Sequence, residues 1–128
     1  MATLADVMRT EFITVAPEDT LGEVAEKMVA LNVGSVVVKD FGKLIGILTE
    51  RDLLKAMAAR VHSSEARVRQ FMTENPVTAS PDMDCEQAEQ LMLDKGFRHL
   101  PVMEGDDVAG VVSLRRVVAA TKAAATAS

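Results

Sequence analysis

The sequence predicts a mixed α/β (α+β) fold in which one β-α-β-β-α unit is built twice. Three observations point there. Sliding the chain on itself by 64 residues aligns positions 7–53 with 71–117 without a gap. Within each copy, apolar positions pass from helical spacing to short strand runs in the same order. The stretch "GILTERD" at 46–52 returns as "GVVSLRR" at 110–116. Identical pairs are Met8/Met72, Thr14/Thr78, Pro17/Pro81, Met28/Met92, Val38/Val102, Gly46/Gly110 and Arg51/Arg115. Apolar character is kept where identity is lost, as in Ile13/Val77, Leu21/Cys85, Val24/Ala88, Val33/Phe97 and Ile47/Val111. A gapless register with matched apolar positions means duplication of one supersecondary unit.

Each element follows in order. A short leading helix is expected at "LADVM" and again at "RVRQFM". An extended piece, Ile13–Val15 or Val77–Ala79, runs to a proline. The next helix in the first copy has Leu21, Val24, Ala25, Met28 and Leu31 on one face. Thr20-x-x-Glu23 starts it as a capping box, echoed by Asp84-x-x-Gln87. Strand pairs follow at Ser35–Lys39 with Leu44–Leu48 around "DFGK", and at Leu100–Met103 with Val108–Val112 around "EGDD". The last helix of each copy begins at Thr49 or Ser113. The division is expected at residues 1–64 and 65–128, with "RVHSSEAR" as the join and "AATKAAATAS" as a fraying tail.

At 128 residues, two halves sharing a core are expected to form one obligate unit, because a half of roughly 60 residues buries too little surface alone. The chain is 48% hydrophobic, carries a net charge of −5 and has no Trp or Tyr. That balance argues against nucleic-acid binding, which calls for a basic surface and stacking aromatics. Cys85 is the only cysteine, so no intrachain disulfide or thiolate metal cluster can form, and its alignment with Leu21 marks it as core. "MATLADVMRTEF" has no basic leader followed by an apolar run, and no apolar stretch approaches membrane-spanning length. A soluble cytoplasmic protein that does not bind membranes is the expectation.

The repeated order, with "GILTERDLL", "FRHLPVMEGDDVAGVVS" and the openings "VMRTEFITVAPEDTL" and "FMTENPVTASPDMD", resembles the CBS-domain family. Two such motifs in tandem make a Bateman module, and the resemblance covers about Leu4 to about Ala120. It implies two small sheets related by a pseudo-two-fold axis with a cleft between them. It also implies an adenosine-containing ligand in that cleft, and pairing of modules into homodimers.

Thr49-x-x-Asp52 matches the family's ribose motif. An ionised carboxylate accepts from both hydroxyls of a ribose, and charged hydrogen bonds are the stronger kind. Thr49 adds a hydroxyl at a helix start, where unpaired N–H groups favour phosphate. Gly46 would let a flat base come close to the backbone. Thr14, with Ile13 and Val15, matches the family's segment beside the adenine. The same Thr49 and Asp52 also fit a plain helix cap that needs no ligand.

The second copy departs from the motif, with Ser113 followed by Arg115 and Arg116. Cations at a helix N-terminus are disfavoured by the dipole, so two arginines there point to a bound anion or to a solvated surface. Arg98 and His99 stand where the family often places phosphate-contacting residues. The expected division of labour is ribose on Thr49 and Asp52, and phosphates on Arg98, His99, Ser113, Arg115 and Arg116.

No catalytic constellation and no metal set stands out, and His99 lacks companions at metal spacing. The expectation is a non-enzymatic sensor of AMP, ADP or ATP, with NAD and S-adenosylmethionine as other adenosine ligands. It would have no catalytic cofactor and would signal in trans to a separate protein. The alternative is a structural dimerisation or protein-interaction module with a vestigial cleft.

Overall fold

The computed structural model describes residues 1–127 and divides the chain into two compact units. One is contiguous, residues 12–76; the other joins residues 1–11 to the chain from Val77 onward. The units therefore do not follow the expected halves 1–64 and 65–128. The reason is that each copy's leading segment packs on the other copy's body.

In the contiguous unit, β1 (Thr14–Val15) lies parallel to β2 (Ser35–Asp40), and β2 pairs antiparallel with β3 (Lys43–Thr49). β4 (Thr73–Glu74) completes the sheet antiparallel to β3, giving the order β1-β2-β3-β4. β2 is buried on both faces at Val36, Val37 and Val38, as expected of a covered inner strand. Helix α2 (Leu21–Leu31) sends Leu21, Val24 and Met28 into the core. Leu31, expected on that face, is the last residue of α2 and is 60% exposed. The Thr20 capping box forms as expected: Thr20 Oγ1 accepts from Glu23 N at 3.3 Å and donates to Glu23 Oε1 at 2.7 Å. Helix α3 (Glu50–Ala58) and the single turn α4 (Val68–Phe71) finish the unit. The expected join "RVHSSEAR" belongs to it as well, with Ser63 and Ala66 carbonyls accepting from the Gly22 and Leu21 amides.

The other unit repeats the plan with a smaller sheet. β5 (His99–Glu104) and β6 (Asp107–Ser113) pair antiparallel, and α5 (Cys85–Lys95) packs beside α6 (Leu114–Ala127). The expected piece Val77–Ala79 shrinks to a single parallel bridge, Ala79↔Val102. Asp84 caps α5 by accepting from Glu86 N at 3.1 Å rather than through a box with Gln87. The alanine-rich tail expected to fray is helical through Ala127. Alanine has the strongest helix propensity, and Thr121 Oγ1 bonds the Val117 carbonyl at 2.8 Å. Ser128 lies outside the described residues.

Short helix α1 (Leu4–Val7) sits in this second unit, with Leu4 fully buried among Cys85, Ala88, Met92 and Leu100. Arg9 bridges Val111, and Thr3 bridges Asp84. The same pairings occur in the contiguous unit as Ile47↔Thr73 and Thr20↔Arg67. Both sets match at the repeat offset of 64, so the exchange of leading segments is itself repeated. Glycine permits it. A Cβ on Gly46 would stand 2.7 Å from Met72 Sδ and 2.9 Å from the Thr73 carbonyl oxygen. On Gly110 it would meet the Arg9 carbonyl oxygen and Met8 Sδ, each at 2.8 Å.

Candidate ligand-binding site

At one end of the contiguous unit's sheet, β2 begins, β3 ends and α3 starts, because Ser35 pairs with Thr49. Thr49 is the N-cap of α3, in extended conformation at φ −120° and ψ 168°. Its amide donates to Asp52 Oδ2 at 2.9 Å, and its hydroxyl donates to the same oxygen at 3.1 Å. The Asp52 amide in turn donates to Thr49 Oγ1 at 3.4 Å. The capping reading of Thr49 and Asp52 is thus realised in full. Asp52 is only 8% exposed. Its other oxygen, Oδ1, accepts no hydrogen bond among the described residues. No buried side-chain oxygen or nitrogen there lacks a partner, so Oδ1 reaches solvent and keeps acceptor capacity.

The remaining first-copy residues divide. Thr14 is exposed, while Ile13 and Val15 point into the core at 9% and 4% exposure. β1 runs beside β2 through Thr14↔Val37, which sets Ile13 toward the same end of the sheet as Ser35 and Thr49. Gly46 behaves differently from the sequence expectation. Its bare face is filled by Met72 and Thr73, so the close approach it permits is made by the chain itself and not by a base.

The matching end of the other unit is basic. His99 pairs with Ser113 across β5 and β6, and the Leu114 amide bonds the Arg98 carbonyl at 2.8 Å. Ser113 Oγ accepts from Arg116 N at 3.3 Å and so caps α6 without a carboxylate. Arg98, Arg115 and Arg116 are all exposed, and none is in an ion pair among the described residues. In the first copy the positions of Arg98, His99 and Arg116 are Gly34, Ser35 and Asp52. The candidate residues thus fall in both units, with a buried carboxylate at the start of α3 and three exposed arginines beside the start of α6. Sequence reasoning missed that Asp52 is buried, because only packing decides which way the first turn of α3 faces.

Burial raises the Cys85 thiol above its ordinary value of 9.0, which keeps it protonated and unreactive. Among the described residues no group of three or more His, Cys, Asp or Glu side chains could hold a metal ion. No helix among them is long and apolar enough to cross a membrane.

A duplicated α/β unit with a hydroxyl–carboxylate pair at one helix start defines a class, and comparison with known proteins names it. The CBS domain family matches residues 4–59 and 68–122, so this chain belongs to that family as a tandem pair. It is 34% identical over 114 residues to the CBS domain-containing protein YhcV of Bacillus subtilis, covering 89% of this chain and 81% of that one. The crystal structure of the CBS-domain containing protein ATU1752 from Agrobacterium tumefaciens superposes with a TM-score of 0.87 at 35% identity, over 94% of this chain and 99% of that one. The CBS domain pair of protein MJ0100, solved with 5-methylthioadenosine and S-adenosyl-L-methionine, gives a TM-score of 0.84 at 24% identity, over 95% and 97% of the two chains. That last likeness is one of fold.

Proposed function

We propose that this CBS pair is a non-enzymatic regulatory module that binds an adenosine-containing nucleotide and acts in trans on a separate protein in the cytoplasm. The observation that carries it is Asp52, a carboxylate fixed by Thr49 through Oδ2 while Oδ1 stays open. A ribose diol donates to that free oxygen without dismantling the helix cap, so cap and ligand contact coexist. Thr14 and the neighbouring backbone of Ile13 and Val15 flank the base, and Gly46 serves indirectly by seating Met72.

Arg98, Arg115 and Arg116 supply positive charge for the phosphates, with His99 and Ser113 beside them on β5 and β6. AMP, ADP and ATP fit such a cluster better than a sulfonium ligand, although the related fold of MJ0100 carries S-adenosyl-L-methionine. Charge reversal at Arg98 and Arg115 is expected to weaken nucleotide binding, and unchanged affinity would remove the arginines from this reading. Signalling follows if two arrangements of the protein, or of a homodimer, differ in nucleotide affinity, and linkage makes the effect reciprocal.

Calorimetric titration of AMP, ATP, NAD and S-adenosylmethionine into wild type and Asp52→Ala tests the reading. Loss of charged hydrogen bonds of roughly 1.5–3 kcal/mol weakens affinity about tenfold to a hundredfold. Binding that ignores Asp52 would move the ligand elsewhere. No binding by any of the four would favour an interaction module in which Thr49 and Asp52 only cap α3, a reading that the complete capping box supports.

A further inference from the structure

Methionine meets glycine twice in this molecule, at positions the repeat keeps identical: Met8 with Gly110, and Met72 with Gly46. Each short leading helix is anchored by a fully buried first residue, Leu4 in α1 and Val68 in α4. Four residues on, the Met8 and Met72 amides bond back to the Leu4 and Val68 carbonyls at 2.8 and 2.9 Å. Strand pairing starts at the next residue, Arg9 with Val111 and Thr73 with Ile47. The methionine is therefore the joint between helical turn and pairing. Its Sδ fills the space where a glycine side chain would begin, 2.8 Å from a Cβ on Gly110 and 2.7 Å from one on Gly46.

That space suits an apolar sulfur and little else. The other close neighbour of each glycine face is a carbonyl oxygen, that of Arg9 or of Thr73. Around Met8 the strand donors are already taken: the Val111 amide donates to the Arg9 carbonyl at 3.0 Å, and the Arg9 amide to the Val111 carbonyl at 2.9 Å. An oxygen added to the sulfur would stand near a carbonyl oxygen without a donor of its own, and an unsatisfied polar atom is costly. Met28 and Met92 are buried, whereas Met8 and Met72 are half-buried, which leaves an oxidant a route to them.

We propose that Met8 and Met72 are twin oxidation sites through which hydroperoxides loosen strand pairing in the two units. The sulfur lone pair attacks one peroxide oxygen, so the S–O bond forms as the O–O bond breaks. The departing oxygen takes the hydroperoxide proton and leaves as water or an alcohol. Sulfur gives up two electrons, the peroxide gains them, and a flexible apolar side chain becomes polar. The sulfoxide no longer fits against glycine, so the Arg9–Val111 and Thr73–Ile47 pairings open while Leu4 and Val68 hold the helical turns. Gly46 and Thr49 share β3, so oxidation of Met72 reaches the strand that delivers the α3 cap.

Hydrogen exchange read by mass spectrometry tests this on full-length wild type, Met8→Leu, Met72→Leu and the double variant, each before and after hydrogen peroxide. The same digests report sulfoxide at every methionine. In oxidised wild type, peptides holding Arg9, Val111, Ile47 and Asn75 are expected to exchange roughly tenfold or more faster than in the reduced protein. Leucine has no thioether and a similar volume. Met8→Leu should thus confine the change to the Thr73–Ile47 pairing, Met72→Leu to the Arg9–Val111 pairing, and the double variant should show neither. Protein made with norleucine in place of methionine, unbranched and free of sulfur, should be equally indifferent to peroxide, and it serves if the branch of leucine does not fit beside glycine. Sulfoxide at both positions with exchange unchanged would overturn the proposal. So would intact Met8 and Met72 once exposed Met1 and Met57 are fully converted, or an acceleration that persists in the double variant.

Discussion

Two of the chain's capping boxes, at Thr20 and Thr49, differ in which partner is covered. Thr20 is buried and Glu23 exposed, whereas Thr49 is half-buried and Asp52 buried. The hydrogen bonds are the same in kind, so the spacing Thr-x-x-acid was enough to foresee both. The burial of Asp52 was not foreseeable, because it depends on where the sheet directs the first turn of α3. Because the Thr49 box forms without a ligand, Thr49→Ala should cost about 0.5–2 kcal/mol of unfolding free energy in nucleotide-free protein. Thr49→Ser should retain most of that stability. Urea titration of both variants checks this, and an Ala variant as stable as wild type would show that the cap contributes nothing.

Helix α2 offers a pH-dependent test at the scale of the element. The hydrogen bond from the Thr20 hydroxyl, with help from its amide, holds the Glu23 carboxyl below its ordinary value of 4.5. A carboxylate depressed on folding stabilises above its unfolded value, and the contribution is lost as pH falls through the lowered folded value. The stability difference between wild type and Glu23→Gln is therefore expected to be full at neutral pH. It should shrink as pH drops from 4.5 toward strongly acid conditions. Paired urea melts at neutral and acid pH measure it, and a difference that grows with acid would reverse the argument. Elements with strong periodicity, α2, β2, β3, β5 and β6, were legible in the sequence. The second copy's extended piece was not, since Val77–Ala79 makes only the Ala79↔Val102 bridge and no periodicity signals how far a ladder extends.

Across the whole molecule, the leading segments link distant parts of the chain. Leu4 is fully buried in a unit whose other core residues begin at Ala79. Leu4→Ala should cost roughly 2–5 kcal/mol, the range for truncating a buried leucine. The loss belongs to the unit containing β5, β6 and α5, not to the one containing β2 and β3. Hydrogen exchange tests this directly: protection should fall first in β5 and β6, and an equal fall in β2 and β3 would mean that the two units open as one. Sequence alone determined the duplication, the order of elements, the two helix caps and the charge difference between Asp52 and Arg116, because each is local or is carried by the repeat register. Only the tertiary structure decided that residues 3–9 and 67–73 pair with the opposite copy's body, and that Gly46 and Gly110 serve this exchange. Local propensity is the same whichever body a segment joins. In each unit the bare face of a glycine makes room for the joining segment, Gly46 for Met72 and Gly110 for Met8.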